Sequence, residues 1–260
     1  VAVDSVEGAR ELSVGMAQEG LTVGVILEVD GGAHRCGVLP EDLLPLAEQV
    51  AALPGLEVRG VFAYAGPAYE RRGPERLAVY AAEEAAFLAE QGRRLQEAGF
   101  SVEIISGGCT PTAGRYPAEC GLTEVRPGTY VFNDRNQVDL GSCTEAEVAA
   151  TVLTTVISAP APERAIVDAG AKALAQQASP PLSDGCGWVL GRPEGVLYRL
   201  NDEHGFLDTR EMAPRPKIGE KLRIIPPRIP TCVNLWEEMY VVEGERVVDV
   251  WEVAARGTVE

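Results

Sequence analysis

Histidine is almost missing from this chain. His34 and His204 are the only two in 260 residues, which leaves little room for histidine-rich metal centres or for a catalytic triad. The six cysteines, at 36, 109, 120, 143, 186 and 232, form no C-x-x-C pair and no zinc-type spacing. They read as free thiols of a reducing compartment, so a cytoplasmic location is expected. No apolar run approaches the roughly 20 residues needed to cross a bilayer, and no signal peptide is seen. Positive charge is scarce: 23 Lys and Arg stand against 39 Asp and Glu, a net charge of −16. Such a surface is a poor partner for nucleic acid or an anionic membrane. An early G-x-G-x-x-G, the fingerprint of an open dinucleotide-binding sheet, is also lacking after the first two strand-like runs.

What is present is alternation. Residues 1–4, 22–30, 58–65, 100–106 and 122–126 read as strands, and 6–19, 40–53 and 74–98 carry helical spacing between them. That order predicts a parallel α/β sheet. Its functional-looking turns fall late, which favours the last five strands or so of a partial (β/α)8 TIM barrel, with about three strands wanting at the front. The chain also opens on Val inside an apolar run, so it is expected to be the C-terminal part of a longer protein. After residues 140–147 the pattern changes to short strand-like runs separated by Gly and Pro, at 151–157, 165–168, 187–190, 196–200, 221–225, 239–242 and 247–253. A C-terminal, mostly antiparallel β domain is expected, with domains at 1–142 and 143–260.

Two strand ends carry the chemistry. Ser106-Gly107-Gly108-Cys109-Thr110 follows one predicted strand, and Arg126-Pro127-Gly128-Thr129-Tyr130 follows the next. Glycine lets an anion approach the backbone, and unpaired N–H groups in such turns bind phosphate. The loops after the last two strands are the usual phosphate site of a β/α barrel. Asp30 to Gly37 is either a plain glycine-rich connection or a loop placing Arg35 at the barrel mouth to hold a carboxylate. Tyr64, ending another strand, can stack on a ring and donate its hydroxyl, or serve as core packing.

Taken together, Glu28-Val29-Asp30-Gly31-Gly32 with Arg35-Cys36-Gly37, Tyr64-Ala65-Gly66 with Tyr69, residues 106–112, 124–134 and 167–174, Glu203-His204-Gly205 and the ending 248–257 resemble the fold-type III pyridoxal phosphate (PLP) enzymes. The match is to the D-serine dehydratase and D-threonine aldolase branch of the alanine racemase-like proteins. The resemblance implies a PLP-dependent lyase acting on D-3-hydroxy amino acids, commonly a homodimer, that binds a small amino-acid substrate and neither nucleic acid nor membrane. It implies that Ser106, Gly107, Gly108, Thr110, Arg126, Gly128, Thr129 and Tyr130 hold the cofactor. Tyr64 and His204 are the catalytic candidates, though a buried, hydrogen-bonded role for His204 stays open. Arg35 and Arg228 are substrate candidates.

The sequence departs from that pattern in three places. The family's Schiff-base lysine lies on the first barrel strand, whereas the three lysines here, Lys172, Lys217 and Lys221, all fall in the β domain. The family's His-x-Cys or His-x-Asp metal pair is replaced by Arg228 and Pro230 in the run 226–235, so no divalent metal is expected, unless Cys232 takes over one ligand role. Pro67 stands where the family usually has His. Racemisation, or PLP binding without catalysis, are the alternative activities.

Overall fold

The computed structural model of the chain describes residues 1–175 and 185–258. It divides into two compact units, Val1–Gly128 and Thr129–Glu260.

The first unit runs β1 (Ala2–Val3), α1 (Val6–Glu19), β2 (Val23–Glu28), α2 (Leu43–Ala51), β3 (Leu56–Phe62), α3 (Pro74–Glu97), β4 (Ile104–Gly107) and β5 (Glu124–Val125). The five strands are parallel and lie in chain order, β1-β2-β3-β4-β5. Local signals set the helices. Ser5 caps α1 by accepting the Gly8 N–H at 3.3 Å, and Gly20, at φ 65°, ends it in the left-handed region. Pro74 sits in the first turn of α3, where its missing N–H costs nothing. Val25, Leu27 and Val61 on the strands are fully buried against Leu43 and Val50 of α2 and Leu88 and Leu95 of α3. The approach of β3 to β4 demands Gly60, because a Cβ there would lie 1.8 Å from the Ile104 carbonyl oxygen. Between β4 and β5 the chain makes turns in place of a helix.

The second unit contains α4 (Arg135–Leu140), β6 (Val152–Ala161), β7 (Arg164–Val167), α5 (Ala171–Leu174), β8 (Trp188–Val189), β9 (Arg192–Leu200), β10 (Gly205–Asp208), β11 (Lys221–Ile225), α6 (Ile229–Val233), β12 (Glu238–Glu243) and β13 (Arg246–Glu252). Six of these strands close into an antiparallel barrel in the order β10-β7-β6-β11-β8-β9, and β12 pairs with β13 alone. Val156, Val167, Leu197, Leu207 and Ile224 fill the barrel and are fully buried. Closure removes the free edges that an open sheet of short strands would expose.

The parallel sheet and the change to antiparallel strands match the sequence expectation. Ring closure, the short helices α4, α5 and α6, and β10 were not in it. β10 is four residues long, too short to show a period. The unit division at 128/129 falls before the expected domain boundary at 142/143. No helix among the described residues is long and apolar enough to cross a membrane.

Candidate active site

Because the five strands of the first unit are parallel, their C-terminal ends lie on one edge, the edge on which parallel α/β sheets carry ligands. Asp4 directly follows β1, Glu28 ends β2, Tyr64 lies two residues beyond β3, Ser106 is within β4, and Arg126 directly follows β5. Their side chains interact. The Arg35 guanidinium stacks 4.2 Å from the centre of the Tyr64 ring, so two residues that the sequence offered separately are brought together. Arg126 donates to Ser106 Oγ at 2.6 Å and to the Ala63 carbonyl, and its guanidinium lies 4.4 Å from the Phe62 ring centre. Burial, and then the neighbouring Asp4 carboxylate, push Glu28 above the ordinary carboxylate range, while Arg35 and Arg126 pull it down. Glu28, Asp4 and Cys36 bring three metal-type donor atoms within 4.8 Å of one another, but Asp4 Oδ2 already accepts the Gly37 N–H at 3.1 Å.

The turn after β4 is more tightly tied than a free anion nest. Gly108, at φ +84°, takes a conformation L side chains rarely adopt, and a Cβ there would meet Tyr116 Oη at 2.9 Å. Its N–H donates to Glu84 Oε1 at 3.0 Å, and the Cys109 N–H donates to Thr112 Oγ1 at 3.1 Å. The sequence expectation that this turn offers both groups free is therefore corrected: two of its N–H donors already have acceptors inside the chain. Ser106, Gly107 and Gly108 are buried, and Thr110 is half-buried. The Cys109 thiol is pushed up to about 11, chiefly by burial, and stays protonated near neutrality. Gly128 differs, because a Cβ built there would meet nothing within 4 Å. No packing within the chain requires glycine at that position.

The other expected residues belong to the second unit. Thr129 and Tyr130 form a short 3-10 helix, Thr129–Val131, with Tyr130 58% exposed. His204 lies in the β9–β10 turn and is exposed, so its expected alternative as a buried histidine is corrected. Lys172 in the neighbouring α5 pairs with Glu203 at 2.6 Å. Arg228 is exposed and precedes α6. Next to it, Asp134 is 1% exposed and joins two helices: Oδ1 accepts the Gln137 N–H of α4 and Oδ2 the Ile229 N–H of α6, each at 3.0 Å. Burial pushes Asp134 up to about 6, against the pull of those N–H groups and of Arg228. Cys232 is buried, its Sγ donating to the Ala173 carbonyl at 3.2 Å, and its thiol is pushed up to about 12 by burial.

Glu84 and Tyr116 were not singled out from the sequence, and Glu28 and Asp134 stood there only inside longer matching segments. Glu84 had a readable signal. It stands on the buried stripe Leu77, Ala81, Glu84, Leu88, Gln91, Leu95 of α3, where a carboxylate needs a reason.

The alanine racemase N-terminal domain model matches residues 1–136, and the model described as "Putative serine dehydratase domain" matches 149–242. A D-threonine aldolase from Arthrobacter sp. is 35% identical over 99% of this chain and 67% of its own length. Among solved structures, D-threo-3-hydroxyaspartate dehydratase from Delftia sp. HT23 superposes with a TM-score of 0.87 at 32% identity, covering 97% of this chain and 71% of that one. A cysteine-to-alanine variant of D-threo-3-hydroxyaspartate dehydratase, described in its metal-free form, gives 0.85 at 31%, with 97% and 71% covered. The chain thus spans about two thirds of the length of the curated relatives it matches. It belongs to the alanine racemase-like family of fold-type III PLP proteins, in the group that carries the serine dehydratase domain.

Proposed function

We propose that the intact protein is a PLP-dependent lyase acting on D-3-hydroxy amino acids, by dehydration or retro-aldol cleavage. The observation that carries this is the gathering of Glu28, Arg35, Tyr64, Ser106 and Arg126 at one edge of the parallel sheet, in a chain whose relatives are named for those two reactions. The cofactor, when bound, withdraws electrons from the α-carbon. The chain's own part is to bind and orient. Arg126 is held rigid by Ser106 and the Ala63 carbonyl at the cofactor turn, and the open space at Gly128 leaves room for a phosphate ester. Arg35, 4.2 Å from the Tyr64 ring centre, presents a fork suited to a substrate carboxylate, and the Tyr64 hydroxyl is the group offered to hold a proton. His204 is kept as a second acid/base candidate and Arg228 as a second carboxylate partner, each by family likeness. The test is to supply D-threonine, D-serine and D-3-hydroxyaspartate to the intact protein. Glycine plus an aldehyde indicates aldolase, and ammonia plus a 2-oxo acid indicates dehydratase. Turnover of none of them overturns the reading.

The phosphate end of the cofactor fits this chain better than its aldehyde end. No lysine occurs in Val1–Gly128: Lys172, Lys217 and Lys221 all belong to the second unit, and Lys172 and Lys221 are engaged with Glu203 and Thr155, each at 2.6 Å. The reactive lysine is accordingly assigned to sequence outside these 260 residues. By the same reading the five strands form an arc of a (β/α)8 barrel. Their strictly sequential order, with no reversal, supports an arc over a doubly wound sheet. The domain boundary is kept at 142/143, just after Gly141 ends α4 and within the stretch neither family model covers. A cytoplasmic homodimer completes the proposal. The exposed Tyr240, Val242, Val248 and Val250 on the β12–β13 hairpin support self-association, which light scattering tests.

No divalent cation is assigned to the segment 228–232 at the start of α6. Arg228 offers only donors, Pro230 has no ligand atom, and the Cys232 Sγ donates to the Ala173 carbonyl. Metal analysis of the intact protein checks this. Stoichiometric zinc or manganese, with activity lost in chelator and restored by the ion, would refute it.

A further inference from the structure

The turn after β4 holds a group at odds with phosphate binding. Glu84 is 6% exposed. Its Oε1 accepts the Gly108 N–H at 3.0 Å and its Oε2 accepts the Tyr116 O–H at 2.5 Å. Tyr116 Oη is also 3.0 Å from Thr112 Oγ1. Thr112 Oγ1 accepts the Cys109 N–H at 3.1 Å and donates to the Cys109 carbonyl at 3.3 Å. A buried carboxylate is thus wired into the segment whose glycines are assigned to the cofactor phosphate.

We propose that Glu84 makes phosphate binding at this turn proton-linked, taking up one proton as the phosphate ester binds and releasing it as the ester leaves. The inference rests on the cofactor reading above. A phosphate dianion and a carboxylate sharing one turn repel each other in a medium that screens poorly, and protonating the carboxylate removes the conflict. The network accepts both states. When Glu84 is ionised, it accepts from Gly108 and Tyr116. When it is neutral, Oε1 still accepts from Gly108, while its own O–H donates to Tyr116 Oη and the Tyr116 O–H turns to Thr112 Oγ1. Thr112 keeps its donation to the Cys109 carbonyl, and no donor or acceptor is stranded.

The groups facing Glu84 are Tyr80 on its own helix, Cys109 and Tyr116 on the turn, and Arg126 beyond β5. Burial raises the proton affinity of Tyr80, Cys109 and Tyr116, which keeps all three neutral. Arg126 is the cation in the set, and one N–H on each of its two terminal nitrogens is engaged, by Ser106 and by Ala63. Burial also raises Glu84, against hydrogen bonds from Tyr116 and Gly108 and the charge of Arg126.

The probes are pyridoxine 5′-phosphate, which lacks the aldehyde and so needs no lysine, and pyridoxine, which lacks the phosphate. Calorimetry from about pH 5.5 to 8.5 compares the purified protein with Glu84→Gln, whose Oε1 and Nε2 reproduce the hydrogen bonds of the neutral acid. The ester's own titration cancels in the ratio of the two proteins. The expected result is equal affinity at the acid end, with the unmutated protein about tenfold weaker at the alkaline end, one pKa unit of coupling. Proton uptake on binding, read from buffer-dependent heats, should exceed that of the variant by up to one proton, the ester's own share being common to both. Pyridoxine should show no difference. In Tyr116→Phe the carboxylate loses a donor, so the midpoint should rise, with melting curves confirming the fold. Identical pH dependence and proton uptake in Glu84→Gln, or an unmoved midpoint in Tyr116→Phe, overturns the linkage alone. If pyridoxine 5′-phosphate binds no better than pyridoxine at any pH, the cofactor assignment of the turn falls, and the linkage with it.

Discussion

Arg126 donates to Ser106 Oγ and the Ala63 carbonyl, so its planar head is fixed before any ligand arrives. Gly128, two residues on, has open space where a side chain would be. Replacing it with valine should leave the fold within about 0.5 kcal/mol, the usual range for a surface change, yet weaken pyridoxine 5′-phosphate binding. Unchanged affinity in a titration would remove Gly128 from the site. Asp134 makes a stability prediction. Its folded-state value of about 6 stands above the ordinary 3.8, so the folded chain holds this proton more tightly than the unfolded one. The contribution is complete below about pH 4 and is lost as pH rises through about 6, up to roughly 3 kcal/mol in all. In Asp134→Asn this pH dependence should vanish. The variant should still be less stable at pH 7, by about 1–3 kcal/mol, because its amide NH2 faces one of the two N–H donors. Urea unfolding across that range decides both points. At this scale the sequence was legible where glycine punctuates a strand end, as at Gly107-Gly108 and Gly128. Glu84 was legible only as a carboxylate on an apolar stripe, and its bonding was not, because its partners Gly108 and Tyr116 lie 24 and 32 residues away.

The elements of the first unit could be read because each carries its own period and punctuation: helical spacing through α3, an apolar run through β2, and Ser5 and Gly20 bounding α1. Every strand of the barrel except β10 could be read one by one, but not their closure, since pairing β8 with β11 and β10 with β7 depends on long-range register. A few residues do fix such register sterically. Gly60→Ala would drive a Cβ onto the Ile104 carbonyl, parting β3 from β4 at a cost of about 3–5 kcal/mol, the range of severe core changes. Thermal unfolding would show it, and a near-neutral change would mean that the two strands are spaced more widely than described.

For the whole molecule, the placement of lysine matters most. With none in Val1–Gly128, borohydride reduction of this chain after incubation with PLP should leave no stoichiometric pyridoxyl-lysine on peptide mapping. Stoichiometric label at Lys172, Lys217 or Lys221, together with D-amino acid turnover, would show that the catalytic architecture differs from the one proposed. The six-stranded ring of the second unit has a further consequence, for the order in which amide hydrogens escape to solvent. A ring has no end strand to peel, so its amides must wait for the ring to break as a whole. The β12–β13 ribbon has one ladder, and all of β13 is exposed. In deuterium oxide, amides of β6 and β11 should therefore exchange as one slow class, while those of β13 are replaced first.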